Sequence, residues 1–534
     1  MHVASHCVRR SDIANLKSVK TYDICVVGFG PTGAVAAGLL GAAGHSVLVV
    51  DRLLDIYDKP RAICIDHEIM RVFQGLGVVD EIATHIAPYP ASEYCGSEGQ
   101  IIKRLDTAPP PYPLGYVPNL SFLQPPVEQV LRNKAASLPN VQLQLGHHIT
   151  GLEQRDEIVF LNLQGAAGAA RVRARYVIAC DGANSTVRGM GGFTLEDLGF
   201  DEHWLVIDLL VGDEALARLP RVNVQYCEPS RPATHVVGVG GHRRWEIMLL
   251  PGEDPAEAMS AAGVWRHLSR WVRPTEATLW RSAAYRFHAL VASEWRRQRI
   301  FLAGDSAHQQ PPFLGQGMCQ GVRDAANLAW KLNLALSGRA QDGLLDTYGV
   351  ERSSHVRKLT GIIKGLGQLI CERDPERARQ RDAKLLAEMG GKVKTTLRQD
   401  LMPRLEKGAF GDSDHPATGV VFPQPRLSNG LLLDEAVGGG FRLMVAQSIS
   451  WNILESLALP SEVKIIRFGT HGQRRLNGAH TEVEDQADIV SAWFARTGTV
   501  AALVRPDHYV FDVAVDTPSL TSMCVQLRAK LFME

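Results

Sequence analysis

The stretch Tyr22-Asp-Ile-Cys-Val-Val-Gly28-Phe-Gly30-Pro31-Thr32-Gly33, followed by an Ala/Leu/Gly run and then Ser46-Val-Leu-Val-Val-Asp51, decides the fold of the first part of the chain. After Asp23 the opening segment is continuously apolar, the pattern of a strand covered on both faces of a parallel sheet. Gly28, Gly30 and Gly33 allow a tight turn, close approach of the backbone to a pyrophosphate and packing of helix on strand. Pro31 and Thr32 belong to the same turn, and the helix it opens points its N-terminus at the anion. Asp51, at the end of the second strand, is placed to accept the ribose hydroxyls of an adenosine. The fingerprint alone serves FAD and NAD equally.

Outward from that unit, helices are expected near His67–Leu76 and Leu123–Leu138, the second stopped by Pro139. A strand, Tyr176-Val-Ile-Ala-Cys180, closes with Asp181-Gly-Ala-Asn-Ser-Thr-Val-Arg188. From Trp204 to Pro251 the text changes to short strands, read as an inserted antiparallel sheet. Arg299-Ile-Phe-Leu-Ala-Gly304 then resumes the nucleotide-binding pattern, leading through Asp305-Ser-Ala-His308-Gln-Gln-Pro-Pro312 to Gly315-Gln-Gly317-Met318-Cys319-Gln-Gly321 and a helix. The stretch 408–425 reads as a linker to a small α/β unit. The domains expected are 20–190 and 296–400 for the nucleotide-binding part, 191–295 for the inserted sheet and 410–534 for the C-terminal unit.

Composition limits the function classes. With 534 residues, two or three domains are expected. Lys+Arg and Asp+Glu balance at 57 each, which argues against nucleic acid or an anionic membrane as a partner. The first twenty residues lack a signal-type apolar core, and no run of about 18 apolar residues is present. Nine scattered cysteines, without CxxC or zinc spacing, suit a reducing cytoplasm and predict no metal site.

The three motifs around Gly28, Asp181 and Asp305, in this order and spacing, resemble those of the class A flavoprotein aromatic hydroxylases, the para-hydroxybenzoate and phenol hydroxylase superfamily. PRAICIDHE, QYCEPSRPATHVVGVGGHRRWEIMLLPGE and PPFLGQGMCQGVRDAANLAWKL narrow the likeness to the 3-(3-hydroxyphenyl)propionate hydroxylase group. The resemblance spans about residues 22–390 and implies an α/β fold with an α+β insert: a Rossmann-like FAD-binding domain and an antiparallel-sheet substrate domain. The tail resembles a thioredoxin-like terminal domain, without its dithiol. It implies FAD as cofactor and NADH or NADPH as transient electron donor, since no second dinucleotide fingerprint occurs. The substrates implied are O₂ and a phenolic acid such as 3-(3-hydroxyphenyl)propionate, hydroxylated to the 2,3-dihydroxy product. A homodimer is the assembly expected.

Residue by residue, the resemblance implies that Asp305 holds the ribityl chain, with Gly304 beside it, and that Asp181 lies where FAD and nicotinamide pass. Arg61 contacts FAD, Gln124 (with Glu128) reaches the ribityl or phosphate region, and Arg52 lines the adenosine. Gly315, Gly317 and Met318 offer backbone N–H groups to the flavin, where Cys319 replaces the family's asparagine. Pro312 supplies a carbonyl at the reactive edge, and His308 packs near FAD. For the acceptor of the phenol proton the first candidate is Asp66, which would otherwise cap the following helix. Tyr226 is the second. Arg231, Arg243 and Arg244 are the cations available to a substrate carboxylate. A hydroxylase of a polycyclic phenol is the alternative, ahead of an oxidase or a halogenase; Arg244-Trp245-Glu-Ile-Met lacks the second tryptophan and proline that a flavin halogenase carries.

Overall fold

Strand β1 (Thr21–Val27) is buried along its length beyond Asp23, and Pro31 at the first position of helix α1 (Pro31–Ala42) pre-sets its φ for a helix start. Small residues on α1 let it lie close to the sheet, and the chain returns as β2 (Val47–Asp51). A short strand β3 (Cys64–Asp66) feeds helix α2 (His67–Leu76), and β4 (Asn119–Phe122) feeds α3 (Gln124–Ala136). Strands β5 (Val141–Leu145) and β6 (Gly168–Ala179) complete this passage. The computed structural model describes residues 20–469, 474–477 and 480–531.

The chain then crosses into a nine-stranded sheet. Its long spine is the antiparallel pair β7 (Leu195–Val211) and β11 (Ala277–Ala292), with β8 (Asn223–Tyr226), β9 (Ala233–Val237) and β10 (His242–Met248) beside β7 in the order β11–β7–β10–β9–β8. The sheet is wider than the insert read from sequence. Ser92–Cys95 pairs in parallel with β8, Ile101–Asp106 follows it, and Thr395–Leu397 closes that edge. The shortness of those strands hid them in the sequence. Helices Pro255–Met259 and Ala261–Leu268 cover the outer face with Leu205, Ile207, Trp245 and Ile247. The inner face turns to the nucleotide-binding domain.

Strand β12 (Ile300–Leu302) brings the chain back, giving the parallel order β12–β6–β1–β2–β5. Helix α4 (Gly317–Leu336) packs on α1, and the long helix α5 (Gly343–Ile370) runs alongside α4.

The stretch 408–425, expected as a linker, is packed down. A Cβ on Gly408 would lie 2.3 Å from Glu351, Ala409 N–H donates to Glu351 Oε1, and Phe410 is buried with Leu405 and Tyr509. Beyond it β13 (Arg442–Val445), β14 (Lys464–Phe468), β15 (His480–Val483), β16 (Ala501–Val504) and β17 (Val510–Ala514) form one sheet in the order β15–β14–β13–β16–β17, with helix Thr517–Leu531 against it. β13 pairs in parallel with β14 and antiparallel with β16.

Candidate active site

The first turn is built for glycine. Gly28 has φ +99°, and a Cβ there would lie 2.3 Å from the Cys180 carbonyl oxygen; one on Gly33 would lie 1.9 Å from the Gly28 carbonyl. Gly30 differs: a Cβ would meet nothing within 4 Å. Its openness leaves the N-terminus of α1 accessible to an anion. Asp51 secures the turn, accepting from Phe29 N–H at 2.5 Å and Leu53 N–H at 2.8 Å. Thr32 packs inward, so that a Cβ on Gly304 or Gly321 would meet its Oγ1 at 2.8 or 2.2 Å. It joins the first motif to the third. Arg52 is exposed beside Asp51.

The loop Pro60–Ala62 is gripped from both sides. Gln124 Oε1 accepts from the N–H groups of Arg61 and Ala62, at 3.2 and 2.7 Å, while its Nε2 donates to Glu128. Arg61 lies 3.7 Å from that carboxylate with half its side chain exposed. From the sheet, Arg244 donates to the carbonyls of Pro60 and Arg61, and Arg281 to Pro60. Asp208 anchors both arginines and approaches His242 at 2.8 Å. Burial pushes its carboxyl up, but Arg244 and His242 outweigh this and hold it below the usual carboxylate range.

The third motif turns at Gly304, φ +62°, whose N–H donates to Asp324 Oδ2. Asp324 is buried and also bound by His308 and Arg352. Neither Asp324 nor Arg352 stood out in the sequence, because charged residues on an amphipathic helix read as solvated. Asp305 is the opposite case. Its side chain is solvent-accessible yet enclosed by as much protein as an interior group, which places it on the floor of a slot, and no hydrogen bond reaches its carboxylate. Enclosure pushes its pKa up, against the pull of His308 and Arg61.

Asp181 is engaged at home, accepting from Ser185 Oγ and Val187 N–H. The Pro312 carbonyl accepts from Gly315 N–H at 2.7 Å, and Gly315 takes φ +67° with Cys64 beneath it. That bend aims the start of α4 into the slot. The N–H groups of Gly317, Met318 and Cys319 precede the first intrahelical partner, and Gly317 faces open space.

These residues fit FAD. Open Gly30 at a helix start suits its pyrophosphate, the bare Asp305 carboxylate suits its polyol, and the N-terminus of α4 suits the ring edge that gains negative charge on reduction. Among the described residues no group of three His, Cys, Asp or Glu converges as a metal site, and no helix is long and apolar enough to cross a membrane.

Two expected residues are engaged by protein partners. Tyr226 points to the outer face of the sheet, where Trp271 Nε1 donates to its hydroxyl at 3.1 Å and Arg270 covers its ring. The alternation along β8 puts Asn223 and Gln225, not Tyr226, on the inner face. Asp66 caps α2 through Glu68 and Ile69 N–H and holds Arg323 at 2.6 Å. Burial pushes its carboxyl up, but Arg323 and His67 outweigh that and keep it low, which makes a weak base. It borders a cavity of about 840 Å³ at the seam with the C-terminal domain, lined also by Leu314, Gln316 and Arg398. The arginines proposed for a substrate carboxylate are likewise occupied: Arg231 by Glu253, Arg243 by nearby carbonyls and Arg244 by Asp208 and the Pro60 loop.

What the sequence left unremarked on the inner face is Glu246. It is 5% exposed and has no hydrogen-bond partner.

The fold and the site define an FAD-dependent aromatic hydroxylase. The chain belongs to the FAD binding domain family, which matches residues 21–361, and its tail matches the HcaD C-terminal domain over 419–530. A probable NADH-specific resorcinol 4-hydroxylase of Rhodococcus jostii is 35% identical over 523 residues, covering 96% of this chain and 95% of the relative. A 3-(3-hydroxy-phenyl)propionate/3-hydroxycinnamic acid hydroxylase of Escherichia coli is 31% identical, covering 92% of each. Among solved structures, the flavin-dependent monooxygenase PieE in complex with FAD and substrate shares the fold at TM-score 0.79 and 23% identity, covering 96% of this chain and 99% of that one. The p-nitrophenol 4-monooxygenase PnpA of Pseudomonas putida aligns at TM-score 0.62 and 28% identity over 70% of this chain and 94% of its own.

Proposed function

We propose that the chain uses NADH and O₂ to hydroxylate a small phenol substituted at the 3-position, beside the existing hydroxyl. The balance is phenol + NADH + H⁺ + O₂ to the dihydroxy product, NAD⁺ and water. Bound FAD supplies the two-electron relay from NADH and the activation of O₂. The observation that carries the reading is the run of unsatisfied groups from Gly30 through Asp305 to the N-terminus of α4, beside a sheet face whose Arg244 and Arg281 clasp the neighbouring Pro60 loop. In this arrangement Asp305 holds the polyol, α4 stabilises negative charge on the ring edge, and the inner sheet face forms the far wall.

The substrate class follows from what the relatives' names have in common. Resorcinol, 3-(3-hydroxyphenyl)propionate and 3-hydroxycinnamate are all phenols with a substituent at the 3-position. For a propionate the geometry offers a cation that the sequence did not single out. Arg398 is buried, donates to the Leu314 carbonyl at 2.7 Å, and keeps Nε without a partner. The polycyclic alternative has only likeness of fold behind it.

The test is NADH consumption and product mass with resorcinol, 3-(3-hydroxyphenyl)propionate and 3-hydroxycinnamate, each against NADPH. A dihydroxy or trihydroxy product formed with NADH is expected. Consumption yielding only H₂O₂ across the panel would remove the reading.

A further inference from the structure

Among the carboxylates on the inner sheet face, Asp208 is saturated and Glu246 is bare. The two sit on adjacent antiparallel strands, where Asp208 pairs with Arg244 and Val206 with Glu246. Asp208 takes both arginines and His242. Glu246 takes nothing: neither oxygen has a hydrogen-bond partner, although the side chain is 5% exposed. Neither oxygen is among the fully enclosed unpaired atoms, so both keep contact with open space. A buried carboxylate without a protein partner is costly in its charged form, and such groups gather at functional sites.

Its surroundings locate that ligand. Glu246 alternates with Arg244 on the face that holds the Pro60–Ala62 loop, and its cross-strand neighbour Thr234 donates to Gln225 Oε1, turning that hydroxyl away. Tyr89 lies near both Glu246 and Cys64, and Cys64 packs under Gly315 of the flavin loop. The charged and titratable groups facing Glu246 are Arg244 on its own strand, Asp208 on β7, Arg281 on β11 and Tyr89. Glu246 therefore sits on the sheet face that holds the Pro60 loop and is linked through Tyr89 and Cys64 to the loop that bears the reactive edge.

We propose that Glu246 is the group that accepts the phenol proton, a residue role resting on the hydroxylase reading above. The phenol O–H bond breaks, the proton moves to a Glu246 oxygen, and the electron pair stays on the phenol oxygen, raising ring density at the adjacent carbon that takes oxygen from activated O₂. When the ring regains aromaticity its displaced hydrogen leaves as a proton to the second oxygen of O₂, which departs as water, and Glu246 returns its own proton to the phenol oxygen, giving the dihydroxy product. The environment suits a proton acceptor, because burial, opposed by Arg244 and aided by Asp208, pushes the carboxyl up to about 7. A base titrating near the working pH is the efficient one.

The experiment compares wild type with Glu246→Gln, which keeps volume and shape, as FAD-loaded protein. Coupled hydroxylation should fall roughly 10²–10⁴-fold, FAD content should stay unchanged, and NADH should be diverted to H₂O₂. In wild type, kcat/KM for coupled product should rise with pH through about 7, the limb belonging to Glu246, and Glu246→Gln should lose it. A polyfluorinated phenol, already ionised at neutral pH, should need no base and recover most of the variant's lost turnover. Coupled turnover in Glu246→Gln within threefold of wild type, or equal loss on ionised and neutral phenols, overturns the assignment. Should the variant fail to hold FAD, wild type alone decides: the limb must be present for neutral phenols and absent for the ionised one, and a limb identical for both overturns it. A wild type that hydroxylates no phenol fails earlier, at the functional reading itself.

Discussion

The seam between the C-terminal domain and the catalytic body differs sharply from the cleft in how it treats carboxylates. At the seam Glu351 is fully buried and bound by Arg505, Lys331, Asn327 and the Ala409 N–H. Asp434, also held by Arg442 of its own domain, binds Arg71 across the same boundary, and Tyr509 donates to Glu68. In the cleft, Asp305 and Glu246 face open space without a partner. Charge is common to both regions; the two cleft carboxylates are set apart by having no protein partner.

The largest expected effect lies at the seam. Burial pushes the Glu351 carboxyl up, but Arg505 and Lys331 outweigh this and hold it at about 2. Its pKa is lowered on folding, so its contribution is present above the ordinary carboxylate range and is lost as pH falls toward 2. Glu351→Ala leaves Arg505 and Lys331 buried and short of charge, at a cost of about 3–5 kcal/mol. Denaturant titration at pH 7 checks this, and the deficit should shrink on acidification; a neutral result would make the seam ornamental.

Next is Asp305→Ala. Loss of a charge-assisted partner to the polyol should weaken FAD by about 1.5–3 kcal/mol, giving pale protein with an intact fold. Absorbance at fixed FAD concentration measures it, and full retention of FAD would break the contrast from the cleft side. Asp66→Asn comes third. Asn caps helices about as well as Asp, so only the Arg323 pair is weakened, which should lower thermal stability without changing product formed per NADH.

Smallest is Tyr226→Phe, which removes one partly buried hydrogen bond from Trp271 worth about 0.5–1.5 kcal/mol. Turnover should be unaltered.

The legible part of this molecule is the part whose function lives in the backbone. Gly28, Gly33, Gly304 and Gly315 hold positions set by φ or close approach, and local sequence declares such positions. The Asp66 helix cap was legible for the same reason. Tyr226 was misplaced because both faces of its sheet are covered, so alternation on β8 does not say which side is the cleft. Glu246 was invisible because its distinction is a missing partner, and the strands β7 and β11 that bring Asp208 and Arg281 to its face lie tens of residues away in the chain. The strands Ser92–Cys95 and Ile101–Asp106 joined a sheet completed over a hundred residues later for the same physical reason: pairing is non-local.

The most direct measurement is product formed per NADH consumed in Asp66→Asn and Glu246→Gln, assayed side by side as FAD-loaded proteins on one neutral phenol. The saturated carboxylate should be dispensable and the bare one not: Asp66→Asn keeps wild-type coupling, while Glu246→Gln sends nearly all reducing equivalents to H₂O₂. The reverse pattern, coupling lost in Asp66→Asn and kept in Glu246→Gln, would contradict the account.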